Sequence, residues 1–386
     1  MHEPYGGGVA GFRYHGGVWR WLAIFCAAGC KFTPGGVAID AADDGAGSAD
    51  TSTDVPPADA QTCYAVSELG VSFCLDAPAT GSLGVGQDTS INTDTGISIG
   101  TAAITCATLQ ASASYCVVAA AALSIDGGVT LSAHGARPLV LLASTITVTG
   151  TIDVASHIGG QQGPASDLPG CAPGANPTAN GGGQGGSLGG LGGDGGDSSG
   201  ATNSGGTAGA VIAVTTLRGG CPSVKGAGSN GTAAHGGGAV LLIADTIVVA
   251  DTGVINASGA SGVGANTSNH GGTGAGSGGV IAFSTPNISL VTGGQIFANG
   301  GHAGSGSSGS AGVAGTDPTG STSGGGGGNS GTNAGNGGPG FPGSSRNGSN
   351  GTSGDGGGGG GGGAGVVRVV GGGALPVTTD VSPPAT

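Results

Sequence analysis

The chain has 386 residues, of which 95 are glycine and 18 proline, together roughly 29% against about 12% in ordinary proteins. Only 8% of residues are charged and 3% aromatic, so the side chains that anchor cores and those that carry chemistry are both scarce. The formal charge is −13 and Lys31 and Lys225 are the only lysines, which excludes binding to nucleic acid or an anionic membrane surface through a basic patch.

Arg13 and Arg20 precede the apolar run Trp21-Leu22-Ala23-Ile24-Phe25-Cys26. That run is far shorter than the roughly 20 residues that span a bilayer, and it fits the apolar stretch of an export signal. Ala27-Ala28-Gly29-Cys30 places small residues just before a cysteine, as in bacterial lipoprotein signals. Residues 1–29 are therefore expected to be a signal peptide, with Cys30 lipidated and holding the protein to a membrane. An ordinary cleaved signal and a buried apolar segment are the alternatives. Residues 30–62 read as an acidic, disordered tether: Asp40, Asp43, Asp44, Asp50, Asp54 and Asp59 repel one another, and Val55-Pro56-Pro57 interrupts regular structure. These aspartates lack the alternating spacing and glycine turn of a calcium loop.

Six cysteines follow the tether, an even number suited to disulfides in an exported chain. Sequence alone leaves 15 pairings. Chain order suggests three local ones, Cys63 with Cys74, Cys106 with Cys116, and Cys171 with Cys221, and the last closes so long a loop that it stabilises by roughly 4 kcal/mol on the chain-entropy model. None has the two-residue gap of a zinc or redox motif. Residues 63–117 are assigned as a cysteine-bearing N-terminal β region.

From 118 to 375 the chain repeats irregularly. Pro138–Val154, Gly238–Gly259 and Gly279–Gly300 align, with partial copies at Gly209–Thr216, Gly365–Val370 and Ile97–Ile104. Within each copy apolar β-branched residues alternate with polar ones, Ile146 and Val148 between Thr145, Thr147 and Thr149, and that period of two predicts strands. One copy buries too little to fold alone, but copies stacked turn on turn share a core, which Val148, Val249 and Leu290 would face. The expected fold is all-β, an irregular β-solenoid with long, partly disordered glycine-rich inserts and a tail at 376–386. The inserts, 159–207, 259–278 and 300–364, leave the repeat at the same point. They are either disordered or packed as extended polyglycine, and removing Gly324–Gly328 should cost only tenths of a kcal/mol if they are slack.

Arg137–Ala143, the Gly150–Val154 block and the Cys-Lys-Phe start at Cys30 resemble a group of uncharacterised, glycine-rich exported bacterial lipoproteins with β-solenoid-like repeats. The resemblance implies architecture and carries no known reaction.

Other motifs are thin. Gly189–Asp194 matches part of a calcium-binding nonapeptide once, making Asp194 a weak calcium candidate. His134, His157, His235, His270 and His302 sit beside glycine runs and read as solvated loop residues. The acids do not stack, since Asp153 aligns with Asn256 and Phe297, and Asp245 with Ser144 and Pro286. The threonine rank Thr145, Thr147, Thr149 and Thr151, which an ice-binding face would need, is not repeated in the next copies. No glycine run is followed by Lys-Ser/Thr, which excludes a nucleotide-binding loop. These observations point to a non-enzymatic surface or envelope lipoprotein with no cofactor, structural or adhesive, whose glycan or protein partner is not identified. A carbohydrate-active enzyme and a glycan- or calcium-binding module are the alternatives.

Overall fold

The computed structural model describes residues 62–99, 104–107, 109–110, 114–172, 174–266, 268–323, 327–329, 331, 333–342 and 345–386. The segment expected to be a signal peptide, Cys30 and the expected tether up to Gln61 lie outside them. Among the described residues the structure is nearly all β, and the one helical piece is a single 3-10 turn at Ser67–Leu69.

Three sheets, almost wholly parallel, account for most of the strands. The first takes Cys116–Ala119, Leu139–Leu142, Ala239–Ile243, Val280–Ser284 and Val366–Val370, neighbour to neighbour in that order. The second takes Ser82–Val85, Ala122–Ile125, Thr145–Val148, Thr246–Val249 and Asn287–Leu290. The third takes Thr89–Asn92, Thr130–His134, Thr151–Asp153, Val254–Asn256, Gln295–Phe297 and Val381–Ser382, with Ile97–Ile99 antiparallel at its edge. Successive copies pair in register: Ile146 faces Ile247, which faces Ile288, and Ile152 faces Ile255, which faces Ile296. Parallel pairing demands a crossover between neighbours, and here each copy supplies its own by visiting all three sheets before returning.

Side-chain pattern follows sheet position. The inner strands of the first sheet are continuous apolar runs because both faces are covered, while the last, Val366–Val370, carries Arg368 and is half-buried over its final three residues. Leu139, Leu141, Leu242 and Phe283 face a core shared with Ile146, Val148, Ile152 and Ile255. Val140, Leu142 and Leu241 face outward onto Val66, Phe73, Leu188 and Leu217. An antiparallel hairpin, Thr62–Val66 with Val71–Leu75, supplies much of that outer cover and turns at Gly70, whose φ of 58° suits glycine. The second sheet covers only its inner face, hence its alternation, whereas the third alternates in its earlier strands and is buried on both faces at Asn256, Phe297 and Ser382.

The stack differs at its margins from the sequence expectation. Gly209–Thr216 forms no strand, and its Val214, with Leu217 just beyond it, packs on the outside of the first sheet. Ile97–Ile99 runs antiparallel instead of beginning a copy. A full copy at Cys116–His134 and a shorter one at Ser82–Asn92 precede the three recognised from sequence. The tail at 376–386 belongs to the fold. Val381–Ser382 extends the third sheet, Ala385 and Leu375 pack on the core, and Val369 N–H donates to the Thr386 carbonyl at 3.2 Å.

The glycine-rich inserts leave after the third sheet and re-enter at the first, and their described parts are packed. Gly357, Gly360 and Gly363 donate to the carbonyls of Asn180, Gly183 and Gly186 at 3.0, 2.8 and 3.0 Å. Gly358, Gly361 and Ala364 donate to Thr352, Ser349 and Arg346, and Gly359 and Gly362 to Gly304 and Gly301. In turn the run accepts from Gly272, Ala275 and Gly278, from Gly193 and Gly196, and from Gly335, Gly338 and Phe341. A partner changing every residue and recurring every third is the signature of chains with three residues per turn, the polyproline II geometry, which makes no hydrogen bonds within itself. Residues 356–363 thus lie at the centre of a bundle with six neighbouring segments.

That position explains the unbroken glycines. A methyl on Gly357, Gly360 or Gly363 would meet the carbonyl oxygens of Gly196, Gly193 and Gly190; on Gly358 or Gly361, those of Asn336 and Pro339; on Gly356, Gly359 or Gly362, those of His270, Thr273 and Gly276. Backbone hydrogen bonding between segments offsets ordering entropy that apolar burial cannot. The expectation of partial disorder is corrected for the described inserts by this bonding.

Candidate functional site

The inserts gather at two places where side chains other than glycine meet. The first lies against the third sheet. His157 follows the strand Thr151–Asp153, and its Nε2 donates to Asp153 Oδ2 at 2.9 Å while Nδ1 faces Asp317 Oδ2 at 3.5 Å. Asp317 comes from a later insert and also accepts from the backbone N–H groups of Ile158 at 2.9 Å and Ser261 at 2.8 Å. It therefore ties three stretches of the chain together. The hydrogen bonds to Asp153 and Asp317, against a partial opposing effect of burial, push His157 up to about 10. Burial alone raises Asp317, but the bonds from His157, Ile158 and Ser261 outweigh it and hold that carboxyl below its ordinary range. At neutral pH the ring is an imidazolium with both nitrogens donating, so it has no lone pair for a substrate proton or a metal. The arrangement is a charged clamp.

The other histidines differ from the solvated loop residues expected from sequence. His235 Nδ1 pairs with Asp167 Oδ2 at 2.5 Å, which raises its pKa. His302 is fully buried, accepts at Nδ1 from Gly340 N–H at 2.9 Å, and has its pKa lowered by burial. His270 bonds Asn266 at 2.5 Å and His134 bonds Ser90 at 3.3 Å. Their partners lie far away or on turns with no motif spacing, so sequence carried no signal for Asp317 or Asp167.

The second place is the end of the bundle away from the sheets. At about 3.1 Å per residue, the segment from Gly365 back to Gly356 carries the chain about 28 Å outward. Turns of separate inserts meet there. Ser308 and Ser199 donate to Asp355 at 2.6 and 3.0 Å, Gly309 N–H to Asn269 Oδ1 at 3.2 Å, and Asp355 N–H to the Asn333 carbonyl at 2.6 Å. The Ser308 and Ser199 hydroxyls hold Asp355 below the ordinary carboxylate range. Asn180, Asn203, Asn269 and Asn333 all have positive φ, which asparagine tolerates better than most residues. Ser199, Thr202, Asn203, Ser268, Asn269, Ser310 and Ser353 are exposed.

The remaining predicted residues lie elsewhere. Asp194 uses Oδ1 to accept from Ala208 N–H at 2.8 Å, and no group of three or more His, Cys, Asp or Glu side chains among the described residues is placed to share an ion. The cysteines pair as Cys63–Cys74, Cys106–Cys116 and Cys171–Cys221. Such bonds belong to an oxidising, exported setting. Cys30 lies outside the described residues. Comparison with family models, with curated proteins and with solved structures finds no match to this chain.

Proposed function

We propose that this chain is an exported, non-enzymatic lipoprotein, anchored through Cys30, in which a β-solenoid carries a polyglycine bundle as an adhesive or envelope-building display. The in-register stacking of copies in three sheets supports the solenoid. The distribution of permitted side chains carries the functional reading. The bundle's glycine positions leave no room for a Cβ and its other buried positions hold mostly small residues such as Ala275, Ala303 and Ser305, whereas the turns gathered at the far end expose hydroxyls and amides. Those turns are surface loops on a rigid support, where side chains can change without disturbing the packed glycines beneath them. The clamp at His157 supports the same reading, because its carboxylates are engaged in holding inserts together.

The test compares cells displaying the wild-type chain with cells displaying Thr202→Arg/Ser310→Arg/Ser353→Arg, and with Thr145→Arg/Ser289→Arg on the outer face of the second sheet. Retention on isolated cell envelopes and extracellular matrix should fall at least fivefold for the far-end triple variant and stay unchanged for the sheet variant. Cys30→Ser should move the protein from membranes to medium. Equal retention of all displayed forms and of cells lacking the protein would overturn the display function.

A further inference from the structure

From the disulfide at the base of the first insert we infer that Cys171–Cys221 is a thiol-exchange site, modified at Cys171 by an external thiol with Arg218 as the cation that receives the outgoing thiolate. Arg218 is 7% exposed. Its Nη2 lies 3.1 Å from Cys171 Sγ and 3.8 Å from Cys221 Sγ. Nη2 also donates to the Leu168 carbonyl at 3.0 Å, Nη1 to Pro169 at 3.2 Å and Nε to Gly219 at 3.3 Å. The turn that presents two of those carbonyls closes at Gly170, whose φ of 99° favours glycine.

A guanidinium this deeply buried normally has a carboxylate beside it, since desolvating an unpaired charge is costly. Among the described residues no carboxylate forms an ion pair with Arg218. Asp167 is near enough to act electrostatically, but its oxygens are taken by His235 Nδ1 and Gly236 N–H. Burial accordingly lowers the Arg218 pKa. The groups that occupy the place of an anion are the two sulfurs. Because the guanidinium is held by backbone carbonyls, it remains in place once the S–S bond opens.

Accessibility fixes the direction of attack. Cys171 is half-buried, while Cys221 is 2% exposed and packs behind the first sheet. An external thiolate, having lost its proton to water, forms a new S–S bond with Cys171 Sγ. The electron pair of the Cys171–Cys221 bond passes to Cys221 Sγ, which leaves as a thiolate beside Arg218 and needs no proton. A second thiol releases Cys171 and completes a two-electron reduction. A nearby cation lowers a thiol pKa and favours the reduced form, as it does in dithiol oxidants. Opening this bond removes the one covalent tie between Cys171 and Cys221, 50 positions apart, while the segment between them stays hydrogen-bonded into the bundle.

The full chain is equilibrated in glutathione redox buffers, trapped by alkylation and read by mass spectrometry at Cys171 and Cys221. Arg218→Gln should shift the equilibrium at least tenfold toward the disulfide, about 30 mV for this two-electron couple, and Arg218→Lys should stay within threefold of wild type. Glutathione adducts should appear on Cys171 and not on Cys221. In the reduced wild type the alkylation midpoint should lie below the ordinary thiol value of about 8.5, and Arg218→Gln should raise it. A wild-type midpoint at or above that value overturns the proposal, and this measurement decides even where Arg218→Gln does not fold. An unchanged equilibrium in folded Arg218→Gln overturns it equally.

Discussion

An imidazole held between two carboxylates changes the pH dependence of the fold in a direction opposite to a buried neutral one, and this chain contains both. His157 titrates at about 10 when folded and near the ordinary histidine value of about 6.5 when unfolded. Folding therefore favours the protonated ring. Its contribution is fully present below about pH 6.5 and is lost as pH rises through 10. His302 has a depressed folded value, so its contribution is present above about pH 6.5 and is lost as acid protonates a ring whose Nδ1 accepts from Gly340. Asp317, also depressed, adds to the loss at lower pH. Thermal melts of wild type and His157→Gln should differ most at pH 6 and converge toward pH 10.5, whereas His302→Gln should differ most above pH 7. A His157→Gln difference that grows with pH would show that the ring is not charged in the fold.

At the scale of strands, position within a sheet sets the cost of losing a side chain. Leu141 pairs in register with Val118 and Leu242, is 0% exposed and faces the shared core. Leu290 occupies the same face of the second sheet but lies on its last strand and is half-buried. It differs in this from the fully buried residue expected from its alignment with Val148 and Val249. Leu141→Ala should cost the ~2 to 5 kcal/mol of a full core truncation and Leu290→Ala well under half as much, because less area and a smaller cavity are involved. Denaturant midpoints at constant slope would measure both, and equal losses would contradict the end-strand placement. The register itself was legible in the residues. The offset that aligns Ile247 with Ile288 is the offset by which those strands pair, because alternation and a shared core leave little freedom to slip. The copy at Cys116–His134 was harder to read because Ala119, Ala120, Ala121 and Ala122 blur the alternation. The pairing of His157 with Asp317 was not readable, since 160 positions of chain separate them and only the packing of inserts brings them together.

For the whole molecule, the decisive fact is that a homopolymeric run in a bundle has no internal address. Residues 356–363 are all glycine, so adding a ninth yields the same sequence wherever it is placed, and the chain can keep the hydrogen bonds of Gly357–Gly363 in register by letting the extra residue bulge at the end of the run, beside Asp355. Loop closure makes that cheap, on the order of tenths of a kcal/mol. A single methyl has no such escape, because at Gly359 it meets the Thr273 carbonyl oxygen and the segments around it are themselves bonded. Overpacking of this kind costs about 1 to 3 kcal/mol where neighbours can shift, and more here, where they are backbone. The same reasoning revises the expectation for the Gly324–Gly328 deletion at Gly327 and Gly328, since Gly324–Gly326 lie outside the described residues. Gly328 N–H donates to the Ala303 carbonyl at 2.8 Å, and a methyl on Gly327 would meet the Gly337 carbonyl, so removing them takes out packed structure instead of slack. Calorimetry should thus rank three variants in an order that residue count alone would invert. One inserted glycine in residues 356–363 should leave the melting temperature within about 1 °C of wild type, with Gly327–Gly328 deletion intermediate and Gly359→Ala the most destabilised. Should the insertion prove as damaging as the methyl, the run is held by something other than the three-residue repeat of its neighbours.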